Sequence, residues 1–205
     1  MPESLQARPS WDRLFETAAA QEGLFTTQQA AEAGYSPQLL VHHIHGGRAL
    51  RLRRGIYRLV HFPAGEHEEL VAAWLWSDRK GVISHQTALA LHGLSDVLPA
   101  HLHLTLPAAW QRRRFRVPAG VILHFADVPK KDRSWFGAAP TTNPRRTVND
   151  CARDGLSPEL LRHAAQQALR RGLVTKPELG DVKAALKPFG GLTARTTRPT
   201  PRLGA

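Results

Sequence analysis

Arginine carries the clearest chemistry in this sequence. Residues 48–60, RALRLRRGIYRLV, hold Arg48, Arg51, Arg53, Arg54 and Arg58 and no acid. A guanidinium is a planar fork of N–H donors that stays charged at every physiological pH, so several together suit phosphate oxygens. A second run supplies Arg112, Arg113, Arg114 and Arg116. The chain beyond Asp181 adds Lys183, Lys187, Arg195, Arg198 and Arg202, again without an acid. Across 205 residues, 28 Lys and Arg stand against 17 Asp and Glu, a net charge of +11. Charge placed only for solubility mixes both signs. Here the signs segregate: residues 36–65 contain no acid, which points to a polyanionic partner, nucleic acid or an anionic membrane surface.

The other reactive side chains offer little. Of the 11 histidines, His42 and His45 share a helix face but lack the acid or cysteine that would complete a metal site. His101 and His103 share a strand face with Thr105, read as solvated or turned to a helix. Ser84 and His85 are neighbours, and neighbours on a helix point apart, so they are not read as a nucleophile–base pair. Cys151, the single cysteine, falls on an apolar stripe with Val148 and Ala152 and reads as a small core residue. One cysteine also excludes an internal disulfide. There is no phosphate-binding glycine loop, no dinucleotide fingerprint and no HExxH. Asp127, Asp132, Asp150 and Asp154 have no two-metal spacing. No catalytic residue, metal or cofactor is expected. No stretch approaches eighteen uninterrupted apolar residues and the N-terminus lacks a signal pattern, so a cytoplasmic protein without membrane contact is expected.

The arginines need elements to position them. Residues 9–22 predict a helix, with Trp11, Leu14, Phe15 and Ala18 on one stripe and Gly23 as the stop. Thr26 and Gln29 stand at capping-box spacing before a short helix ended by Gly34. Ser36 caps a third helix with Pro37 at its first position and Gly46–Gly47 at its end. There Leu40 and Ile44 must face the core, which leaves Gln38, His42 and His45 on the opposite face. ALRLR, the Arg54–Gly55 turn and IYRLV then read as a hairpin. Helix, helix, turn, helix and basic hairpin is the order of a winged helix-turn-helix. Beyond it a helix over about 66–77 starts with Glu66, Glu68 and Glu69. A strand at GVIS, a helix capped by Ser84, and strands at HLHLTL and GVILHF follow, the Arg-rich run joining the last two. The remainder reads as helices capped by Asn143, Ser157 and the Thr175/Glu178 pair. After Phe189 the Gly, Thr, Arg and Pro composition reads as disordered.

GLFTTQQAAEAGYSPQLLVHHIHGGRALRLRRGIYRL resembles the N-terminal winged-helix domain of AbiEi-type antitoxins of bacterial type IV toxin–antitoxin systems. ISHQTALALHGL, LHLTLP and PTTNPRRTVNDCA resemble the antitoxin domain that follows it. The resemblance covers about residues 20–180. It implies a repressor of its own toxin operon that opposes a nucleotidyltransferase-like toxin, without a stable toxin–antitoxin complex being required. The family often has arginines along the third helix, where this chain has Val41, His42 and His45. The hairpin matches through Arg48, Arg51, Arg53, Arg54, Gly55 and Tyr57.

The expected fold class is α+β: a winged helix-turn-helix over 1–62, a mixed domain with a small sheet and C-terminal helices over 63–188, and a basic disordered tail over 189–205. The expected DNA-contacting residues are Thr26, Thr27, Ser36, Gln38, His42, His45, Arg48, Arg51, Arg53, Arg54 and Arg58. The expected partner is double-stranded DNA with inverted repeats. Arg112, Arg113, Arg114 and Arg116 are expected to touch the toxin or RNA. Two alternatives stand beside this non-enzymatic antitoxin reading: an RNA-binding accessory protein, and a truncated, inactive relative of winged-helix nuclease-like proteins.

Overall fold

The computed structural model describes residues 8–96 and 99–193. Packing divides the chain into two compact units, Met1–Ile83 with His101–Thr141, and Ser84–Ala100 with Thr142–Ala205. The boundary expected at residue 62 lies inside the first of them.

The first unit begins with α1 (Trp11–Ala19), capped by Ser10, which accepts from the Arg13 amide. Leu14 and Ala18 are buried, but Phe15 is 46% exposed, so the apolar stripe is narrower than its periodicity predicts. Glu22 and Gly23 both take positive φ, 55° and 81°, and turn the chain into β1 (Leu24–Thr26). No sequence signal marked this three-residue strand. Thr26 then closes a full capping box with Gln29 at the start of α2 (Thr27–Glu32), and Ser36 caps α3 (Pro37–His45). The predicted hairpin is β2 (Ala49–Arg53) and β3 (Ile56–Leu59), with a bulge between Arg51 and Arg53. The sheet runs β1-β3-β2, all antiparallel. Leu24 and Leu50 both pair with Arg58, so these three side chains share one face. Helix α4 (Glu68–Trp76) packs on β1 and β3.

A second sheet in this unit orders its strands β6-β5-β4-β8-β7. They are β4 (Val82–Ile83), β5 (Leu102–Leu106), β6 (Val121–Phe125), β7 (Arg133–Phe136) and β8 (Ala139–Thr142). Strands β5 and β6 are parallel, so their connection must travel back along the sheet. Residues 107–120 do this, with a helical turn at Ala108–Trp110. The β7–β8 hairpin was not predicted. The alternation of β5 predicted a polar face either solvated or turned to a helix; it is not solvated, since His103 and Thr105 are buried, like Leu104 and Leu106. Both faces of this inner strand are thus covered.

The second unit is helical: α5 (His85–Leu91), α6 (Pro144–Arg153), α7 (Pro158–Arg170) and α8 (Gly180–Leu186). Asn143 and Ser157 cap as predicted, and Thr175 with Glu178 forms the predicted box. Leu89, Val148, Leu161, Ala164, Ala168, Val182 and Leu186 form the core. Asp150 is buried and accepts from Arg146 Nε through both oxygens, at 2.8 and 2.9 Å. Arg153 bonds the same carboxylate and reaches Asp181 at 2.8 Å. The tail is held further than composition predicts. Buried Arg162 donates to the carbonyls of Phe189 (2.7 Å) and Gly191 (3.0 Å), and Gln166 to that of Leu192 (2.7 Å). Residues 194–205, with Arg195, Arg198 and Arg202, lie outside the described residues.

The α+β class is as predicted, with a helix-turn-helix-like region leading into strands. Among the described residues, no helix is long and apolar enough to cross a membrane.

Candidate nucleic-acid interface

Helix α3 divides as its spacing predicts. Leu40 is 3% exposed, Leu39 and Ile44 pack on the same core, and Gln38, His42 and His45 are exposed. Val41 is also exposed, so the open face is wider than a single row. His43, which the sequence did not single out, lies 5.4 Å from the Trp11 ring and 5.2 Å edge-on to Tyr35. Burial, then the charges of Arg48 and His42, hold its pKa below the usual histidine value. It locks α3 onto α1.

Three predicted hydroxyls have local work. Thr26 Oγ1 accepts from the Gln29 amide at 3.1 Å, and Ser36 Oγ from that of Leu39 at 3.2 Å. Thr27 is exposed, and its amide donates to the Gly55 carbonyl at 3.0 Å. That bond ties the start of α2 to the hairpin turn, where Gly55 sits at φ 77°, open to glycine and costly for a side chain.

The arginines part company. Arg48 is exposed, its guanidinium 5.8 Å above the Trp11 ring. Arg58 turns inward and donates to Glu68 on α4 at 2.8 Å, with side chains 23% and 22% exposed. It is therefore engaged within the protein. Arg51, Arg53 and Arg54 instead wall a cleft of about 910 Å³. Arg53 Nη1 is shielded from solvent and has no hydrogen-bond partner. The far wall is the β5–β6 connection, which contributes Arg114 and Arg116. Two runs of arginine that the sequence assigned to separate domains thus face one space. Trp76, Trp110 and Phe115 line it as well, and the acid on it is Asp78.

Residues 12–60 match the family model described as transcriptional regulator, AbiEi antitoxin. The resemblance drawn from the sequence holds over this segment, which runs from α1 through the hairpin. The match supports an antitoxin and DNA-binding regulator role for it, and stops before α4 and the second wall of the cleft. Among solved structures, the RV2827C protein from Mycobacterium tuberculosis is similar at 16% identity, covering 88% of this chain and 77% of that one, with a TM-score of 0.44. At that score the fold assignment rests on the elements themselves. No curated protein matches the chain.

Outside the AbiEi-matched segment, two histidines sit differently from expectation. Ser84 Oγ and His85 Nδ1 are 2.9 Å apart, although neighbours on a helix were expected to diverge. Ser84 is extended and His85, the first residue of α5, has φ 50°, outside helical geometry, so their side chains converge. The Ser84 hydroxyl makes no cap bond to α5, contrary to its predicted role. Both residues are buried, Ser84 fully. His103 is hydrogen-bonded to His124 of β6 at 2.9 Å with the rings stacked, rather than solvated. Cys151 is the predicted core residue, 1% exposed, and burial, then Asp150 and Asp154, push its pKa up.

Proposed function

We propose that this chain is a cytoplasmic, non-enzymatic antitoxin of a type IV system, a winged-helix repressor of its own operon that counteracts a nucleotidyltransferase-like toxin. The observation that carries the reading is the exposed face of α3, with Gln38, His42 and His45, beside an acid-free arginine hairpin in the segment that matches the regulator family. Helix α3 enters the major groove, where Gln38 and the two histidines meet base edges. Arg48, Arg51, Arg53 and Arg54 hold the flanking phosphates, which fixes register without reading sequence. Thr27 and Ser36 stand at the starts of α2 and α3, and an inverted repeat in the operator lets two copies bind. Residues 1–62 carry the duplex contacts, and residues 63–188 carry the antitoxin activity.

The test uses the full chain and a duplex from upstream of its own reading frame, with a scrambled duplex beside it. Specific binding exceeds scrambled binding by at least about a thousandfold. Gln38→Ala and His42→Ala each cost about 1–3 kcal/mol of that preference, the worth of one base contact. Equal affinity for both duplexes overturns the reading. Co-expression with the neighbouring toxin tests the second half: rescue of growth is expected, and must survive the loss of operator binding in the Gln38/His42 double variant.

A further inference from the structure

We propose that the cleft between the hairpin and the β5–β6 connection binds a single-stranded segment of nucleic acid. This goes beyond duplex recognition by α3 and shares with it only the hairpin arginines. Three observations meet here.

The first is charge. Arg51, Arg53, Arg54, Arg114 and Arg116 line the cleft against one carboxylate, Asp78. No ion pair among the described residues involves these five arginines, whereas Arg58, one strand over, is neutralised by Glu68. Arg53 keeps an N–H without any partner. Unneutralised cations on both walls of one groove repel each other unless an anion lies between them.

The second is the aromatic floor. Trp110 and Phe115 stack with centroids 5.8 Å apart, and Trp76 lies 6.0 Å from Phe115. All three are only half-buried. The exposed Arg113 guanidinium lies 4.4 Å over Trp110. A planar cation already stacks there, and a nucleobase is another planar group that the same ring face accepts.

The third is size. A space of about 910 Å³ lies within the range of ligand sites and opens to solvent. It is small for a duplex. Cations along a groove with rings for successive bases are how proteins hold unpaired strands without reading sequence. A purely phosphate-binding patch has no use for the rings, and an acidic peptide has none for stacking.

The experiment measures binding of fluorescein-labelled twelve-residue dT and rU strands to the full chain by anisotropy. A duplex of equal length and unlabelled polyglutamate serve as competitors. Trp110→Ala weakens strand binding at least about fivefold, the lower bound for loss of one stacked base. Affinity for the operator duplex stays within about twofold. Arg114→Ala lowers strand affinity and its salt slope by about 0.7 per lost phosphate contact. Gln38→Ala leaves strand binding unchanged, so failure of the α3 reading and failure of this one are separable. The dT and rU arms tell which sugar the cleft prefers, and binding of either supports it. The proposal is overturned if polyglutamate displaces the strand as well as an unlabelled strand does. It is overturned equally if Trp110→Ala weakens duplex binding as much as strand binding, or if a folded Trp110→Ala binds the strand like wild type. Should Trp110→Ala unfold, Trp110→Phe must retain the stack while Arg113→Ala must alter it; both neutral refutes the idea.

Discussion

Replacing Arg58 separates what the hairpin sequence implies from what its fold does. By density alone Arg58 belongs with the phosphate-binding arginines. In the structure its Nη1 donates to Glu68 at 2.8 Å, each side chain less than a quarter exposed, and its Nε has no partner. Arg58→Ala then removes no phosphate contact, so the slope of log affinity against log salt stays unchanged. Arg53→Ala, by contrast, removes one contact, lowers that slope by about 0.9, and narrows the affinity change between about 50 and 200 mM salt by about 3.5-fold. Stability moves the other way. Arg58→Ala leaves a half-buried carboxylate without its charged donor. The cost is about 1.5–3 kcal/mol, between that of an exposed pair and a fully buried one. At about 2–4 °C per kcal/mol for a chain of this size, the melting temperature falls by roughly 3–12 °C. Arg53 lacks an acidic partner, so its removal leaves melting nearly unchanged. The two readouts are anisotropy over a salt series and thermal unfolding by circular dichroism. If Arg58→Ala lowers the salt slope by about one and leaves melting untouched, the ion pair does not hold in solution and Arg58 is a DNA contact after all.

Three further outcomes follow from the packing. Gly23→Ala places a Cβ 2.5 Å from the Phe62 ring at φ 81°, so it destabilises by roughly 2–4 kcal/mol in chemical denaturation, strain and clash together; a loss under about 1 kcal/mol refutes this. Cys151, buried with its pKa raised, stays unreactive to an aromatic disulfide reagent in the native protein and reacts fully in denaturant; fast native labelling counts against it. His92 has its pKa lowered, by burial first and also by Arg171, against a 2.7 Å hydrogen bond to the Thr142 carbonyl that raises it. Its folded value lies below 6.5, so the unfolded chain takes up the proton first. The stability it contributes is complete above the unfolded value of 6.5 and declines as pH falls from there toward the folded one. Melts between about pH 7.5 and 5.5 should show this decline and His92→Gln should flatten it; equal slopes would be evidence against the assignment.

The sequence by itself determined whatever is settled within a few residues. Thr26 caps three positions on, Ser36 and Asn143 do the same, and Gly55 turns a hairpin whose partners are adjacent. Helix periodicity likewise placed Leu40 inward and Gln38, His42 and His45 outward, because a 3.6-residue repeat fixes faces once one side is apolar. The tertiary structure alone decided the features that depend on distant pairing. Strand β1 has three residues and no signature of its own; it exists because Leu24 pairs with Arg58 far along the chain. Arg58 reads the same as Arg53 in sequence, and only the packing of α4 on β3 brings Glu68 to it. Ser84 and His85 converge because one backbone angle is left-handed, which no local pattern of those residues announces. The cleft is the fullest case. Arg54 and Arg114 are remote in sequence, and the parallel pairing of β5 with β6 sends their connection back along the sheet to meet the hairpin. Local sequence encodes propensity, caps and faces. Which faces meet depends on long-range contacts, where burial and charge pairing outweigh local preference and bring together residues that the sequence keeps apart.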